Sequence, residues 1–137
     1  MRGEVVLFLA AGVLASGLAS LLAVPGGVQS FPLSAATAAV SLTVMVGLAV
    51  VGVHPLISIA ASGTWLAHGE FDPNLLALTF LMAWAVGVAA GPLSGLHLTI
   101  RGRYGIDGRR LPAWNLRYTL LMLGLCALVL HAYEWLS

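Results

Sequence analysis

Apolar runs, and the few places that interrupt them, divide the chain into five segments. Val5 to Val24 is twenty residues without a charge, bounded by Arg2 and Glu4 before it and Pro25-Gly26-Gly27 after it. That matches the roughly 20 residues a helix needs to span a hydrocarbon layer. A cleaved signal peptide is the rival reading. Its apolar region usually runs about 7 to 15 residues, so the length favours a retained helix. Gly12, Ser16 and Ser20 recur every four residues and give this helix a face that another helix can approach closely.

Leu33 to Ala67 runs for thirty-five residues without an acid or an arginine, too long for one upright helix, and Gly52-Val53-His54-Pro55 lies near its middle. Either two short helices turn at GVHP, or a re-entrant hairpin enters and leaves on one face. Asn74 to Ile100 is a further apolar stretch whose interior carries Gly91-Pro92-Leu93-Ser94-Gly95, followed by His97. Proline removes a backbone donor and clashes with the preceding turn, so in lipid such an opening must face protein or a polar cavity. Tyr118 to Tyr133 is the last apolar segment, with Trp114 and Tyr118 near one boundary and Tyr133 and Trp135 near the other. Amphipathic aromatics favour such positions at a membrane surface.

Composition sharpens this pattern into a class. Of 137 residues 60% are hydrophobic and 8% are charged, against about 25% charged in soluble domains, and the mean hydropathy is +0.99. The expectation is an all-α, polytopic membrane protein of about five hydrophobic segments, one or two of them broken or re-entrant, forming a single transmembrane domain over residues 1–137. Five of the six arginines, Arg101, Arg103, Arg109, Arg110 and Arg117, follow the broken segment, while Glu70 and Asp72 lie in the loop before it. The positive-inside rule then puts the Arg101–Arg117 loop and the N-terminus inside a bacterial-type cytoplasmic membrane and the C-terminus outside. A net charge of +1 without lysine offers no surface for nucleic acid. Cys126, alone in an apolar run, reads as a small buried hydrophobe.

The two breaks carry the unusual chemistry. A half-helix N-terminus inside a membrane attracts anions, and a C-terminus with freed carbonyls attracts cations. At GPLSG the expected groups are the carbonyls of Ala89, Ala90 and Gly91 and the hydroxyl of Ser94, with Pro92 and Gly95 shaping the break and His97 beside it. At GVHP, His54 can exchange a proton near neutral pH, Pro55 starts a half-helix, and Ser58, Ser62 and Thr64 add hydroxyls. The competing reading is structural. Gly87, Gly91 and Gly95 form a small-residue ladder that suits a kinked helix contact, GVHP suits a tight turn, and His97 can snorkel towards Arg101. No paired carboxylates, HExxH or phosphate-binding glycine loop is present, so an enzyme is not expected, nor is a resident metal or cofactor. A haem held by His54 or His68 with His97 or His131 is the specific alternative to that last expectation.

The pair GVHPLI, Gly52 to Ile57, and GPLSGLHL, Gly91 to Leu98, resembles the carboxyl-terminal part of ion-transporter-superfamily permeases. That group includes TRAP large membrane subunits, arsenite and sodium/proton permeases and divalent-anion symporters. The resemblance spans about Gly47 to Ile100 and rests on short motifs, more widely spaced here than in TRAP-like members. It implies a secondary transporter for a small ion or organic anion, coupled to protons or sodium, with its site at broken helices near the bilayer midplane. Gly91, Pro92, Ser94 and Gly95 would form one side, and His54 and Pro55 a neighbouring half-helix. Such permeases contain two inverted halves and this chain has about one, so it is expected to form a homo-oligomer, to pair with a second membrane subunit, or to be part of a longer polypeptide. The alternative is a non-catalytic membrane subunit that packs against partner helices, a haem anchor among its forms.

Overall fold

A computed structural model describes residues 32–66, 72–106 and 110–137, the side chains of 64–66 excepted, with residues 5, 6, 9, 10, 12, 13, 16, 17 and 20. Among them every regular element is a helix: α1 (Ala35–Val50), α2 (Pro55–Leu66), α3 (Pro73–Ala90), α4 (Gly95–Tyr104) and α5 (Arg110–Leu136). The described residues of the first apolar segment are helical and exposed; the rest of it, the Pro25–Pro32 loop before Pro32 and His68 lie outside the described residues. Among the described residues two stretches are long and apolar enough to cross a membrane, Pro73–Tyr104 taken across its break and Arg110–Leu136, and α1 is a shorter apolar helix.

Helix ends explain where these elements stop. Ser34 begins α1 with a reciprocal cap, its hydroxyl accepting from the Thr37 amide at 3.3 Å while Thr37 Oγ1 accepts from the Ser34 amide at 2.8 Å. At the other end Gly52 adopts φ +104°. Its amide bonds the Ala49 carbonyl at 3.0 Å and the Val53 amide bonds the Leu48 carbonyl at 2.9 Å, the paired closure that a left-handed glycine allows. Pro55 then opens α2 in the first position, where a missing amide hydrogen costs nothing. The GVHP stretch is therefore a turn between two antiparallel helices. α5 starts eight residues before the Tyr118 expected from hydropathy, because Pro112 falls in its first turn and is tolerated there.

Side-chain pairings fix the directions. Asp72, which caps α3, accepts from the Tyr133 hydroxyl at 2.8 Å, and at the far end of α3 the Ala89 carbonyl accepts from Asn115 Nδ2 at 2.9 Å. Antiparallel α3 and α5 thus stay in register over about 27 Å, eighteen residues at about 1.5 Å each. Glu134 Oε1 accepts from the Ala35 amide at 2.8 Å, so α1 lies parallel to α3 and opposite to α5. Between the three sits the core: Leu42, Met45 and Val46 of α1, Leu75, Ala83 and Val86 of α3, Cys126 and Leu130 of α5. The burial of Cys126 agrees with its reading as a small hydrophobe. α2 packs on α1 and α3 and runs back along α3, Pro55 beside Gly87 and Gly63 beside Phe80.

One end of this bundle therefore gathers acids and the other gathers both breaks and arginines. The Tyr133 hydroxyl, and after it the Asn74 amide, hold the Asp72 carboxyl below the ordinary carboxylate range. A depressed pKa contributes stability above the unfolded-state value, and that contribution is lost as pH falls through the folded value. The contribution of Asp72 to the thermal midpoint in detergent is expected to be constant from pH 8 to 5 and to be lost below about pH 4. Asp72→Asn, which can still cap, should fall less steeply, and an identical acid limb in that variant would contradict the assignment.

Candidate site where two helix breaks meet

The residues Gly52–Pro55 and Gly91–Gly95 are far apart in sequence and adjacent in space. A Cβ at Gly87 would stand 2.9 Å from Pro55 Cγ, one at Gly91 would stand 3.1 Å from the Ala49 carbonyl oxygen, and one at Gly52 would stand 3.6 Å from Leu93 Cδ1. Gly87 and Gly91 are therefore glycines for steric reasons, since α2 and the end of α1 pass directly over them. The ladder expected from sequence ends there, because Gly95 is exposed with open space around it.

The GPLSG break satisfies most of its own polar groups. Pro92 follows a C-capping Gly91 and forces the chain out of α3. A tight turn closes with the Ser94 amide on the Gly91 carbonyl at 3.2 Å. Ser94, 1% exposed, then caps α4 by accepting the His97 amide at 3.3 Å. His97 is 2% exposed, against the competing reading in which it snorkels towards Arg101. Its Nδ1 lies 2.7 Å from the Gly91 carbonyl oxygen, which can only accept, so Nδ1 carries the proton. Nε2, left as an acceptor, faces Asn115 Nδ2 at 3.4 Å. The two hydrogens of the Asn115 amide thus serve His97 Nε2 and the Ala89 carbonyl together. Of the three carbonyls expected to be free for a cation, those of Ala89 and Gly91 are engaged. The Ser94 hydroxyl is committed to a helix cap.

The GVHP side is less closed. His54 is half-buried, its ring edge-on to Trp84 at 5.9 Å between centroids, and its Nδ1 accepts from the Leu56 amide at 3.2 Å. The proton of the neutral ring then sits on Nε2, where no partner bonds it among the described residues. Four residues on, Ser58 is 4% exposed and its hydroxyl has no hydrogen-bond partner among the described residues. The other buried hydroxyls among the described residues are all engaged: Thr79 donates to the Leu75 carbonyl at 2.7 Å, Thr119 to that of Asn115 at 2.9 Å, and Ser94 caps α4. Pro55 is buried and Ser62 half-buried, both on α2; the Thr64 side chain lies outside the described residues.

Sequence reasoning missed Asn115. Hydropathy assigned it to a loop before Tyr118, yet Asn115, Thr119, Met122, Cys126, Leu130 and Tyr133 recur every three or four residues, the signature of one helix face. Both nitrogens of His97 have protein partners, the Gly91 carbonyl and Asn115. His131 stands near the Tyr133 end of α5, nearly the length of α3 from His54. Among the described residues no three histidine, cysteine or acidic side chains gather as a metal site. Compared with protein-family models, curated proteins and solved structures, the chain matches none.

Proposed function

We propose that the chain is a membrane-embedded permease, or half of one, moving a small ion or organic anion with protons or sodium as coupling ion. The observation that carries this reading is the meeting of two helix breaks beside a buried hydroxyl with no partner, Ser58. An unpaired hydroxyl in a dry interior is unfavourable by about 1–3 kcal/mol, and a ligand or a second conformation that engages it removes that penalty. α3 alone is about 27 Å long, close to a hydrocarbon thickness of about 30 Å. The breaks then sit towards the arginine-bearing, cytoplasmic side, and the Asp72 and Glu134 end faces outwards. That displaces the site from the midplane suggested by the resemblance. With about half a permease in hand, a second copy or another membrane subunit completes the path.

Ser58→Ala separates a site from a packing accident. Deleting an unpaired buried hydroxyl is expected to raise stability by about 1 kcal/mol, while uptake into proteoliposomes, screened with small inorganic ions and carboxylates, falls tenfold or more. Ser58→Ala and His54→Ala vesicles that transport as well as the parent would remove the site. The second reading, a non-transporting subunit docked on partner helices, draws support from the GPLSG break, whose hydrogen bonds are largely internal and ask for no ligand. The exposed Val40, Val44 and Leu48 face of α1, with open space at Gly47, suits a partner helix.

A further inference from the structure

His97 is the single buried residue of α4, and α4 makes its main packing contact with α3 alone. The helix is otherwise held by its continuity with the Ser94 turn. Its attachment to the bundle thus depends on one imidazole whose two nitrogens do opposite jobs, Nδ1 donating to Gly91 and Nε2 accepting from Asn115.

We propose that His97 and Asn115 form a proton-operated latch that holds α4 against the junction of α3 and α5. Protonation places a hydrogen on Nε2, which then points at the Asn115 amide hydrogens. To accept that hydrogen the Asn115 side chain must turn its oxygen inwards, and the Ala89 carbonyl loses its donor. Either the buried imidazolium or the half-buried Ala89 carbonyl is then left unpaired, and leaving the pocket relieves both.

The charged groups that the packed elements bring to this end are Arg101 and Arg103 on α4, with Arg101 one turn from His97, and Arg110 and Arg117 on α5. The α1–α2 turn contributes His54, also titratable and engaged with Leu56 and Trp84. No carboxylate among the described residues is bonded to His97. The latch depends on none of the transport chemistry proposed above and is testable without it.

The experiment uses the full chain in nanodiscs. A spin label is attached at Thr99→Cys, on the exposed side of α4, with Cys126→Ala removing the other thiol. Label motion is expected to quicken at least twofold from pH 8 to pH 5, and His97→Gln, which cannot take up the proton, should abolish the pH dependence. Asn115→Asp, whose carboxylate accepts from the protonated ring, should keep the label slow at pH 5. Constant motion from pH 8 to 4.5, or a pH dependence that survives His97→Gln, overturns the latch. Nitrogen NMR of the unsubstituted protein provides an independent test: the neutral His97 ring at pH 8 should carry its proton on Nδ1, and a proton on Nε2 overturns the latch.

Discussion

Gly87→Leu is expected to prevent α2 from docking and to leave little folded protein in detergent. Even a lone Cβ at this position would lie 2.9 Å from Pro55 Cγ and 3.2 Å from its Cβ, and a proline ring that opens a helix cannot swing aside. Forced overpacking usually costs about 1–3 kcal/mol; a whole leucine against a rigid ring belongs at or above the top of that range. The check is the fraction of monodisperse protein after extraction, with the thermal midpoint of whatever survives. Gly47→Leu is the control, because Gly47 faces open space. Equal behaviour of the two variants would mean that the α2–α3 contact is not formed as described.

The second large effect is expected at Asn115. Asn115→Leu removes the donor to the Ala89 carbonyl and the partner of His97 Nε2 at once. A buried group left unpaired costs about 1–3 kcal/mol; His97 is buried and the Ala89 carbonyl half-buried, so a loss of about 1–4 kcal/mol is expected, read as a lowered unfolding midpoint. His97→Leu should cost a comparable amount, since the Gly91 carbonyl keeps only the Ser94 amide. The informative quantity is the double variant. Groups in one hydrogen-bond network couple, so the combined loss should fall short of the sum by about 1 kcal/mol or more, and simple additivity would contradict a shared network.

Local signals in the sequence carried most of the backbone. A glycine with a proline three residues on marked the α1–α2 turn, and Gly91-Pro92 with a following serine marked the end of α3 and the cap of α4. The physics there involves neighbours along the chain, so a short window contains all of it. The aliphatic stretches also read correctly as helix, although hydropathy alone began α5 too late by discounting a helical turn that bears arginines and a proline.

The site was legible as a place and not as a set of bonds. Both breaks stood out as interruptions, but nothing local says that they touch, because that depends on α1 and α3 running parallel with α2 folded between them. Ala89 and Gly91 read as free carbonyls because their partners, Asn115 and His97, reach them through tertiary packing. A hydroxyl such as Ser58 looks like any other serine in a helix until its neighbours are placed and none of them answers it.

The bond from the Ala35 amide to Glu134 also has a bearing on biosynthesis. Its partners are separated by 99 positions, so at about 5–20 residues per second the start of α1 leaves the ribosome roughly 5 to 20 s before the carboxylate that caps it. Throughout that interval α1, α2 and α3 must find one another with this amide served by other groups. The first helices thus pack in a provisional arrangement, and arrival of the last turn of α5 sets their final register.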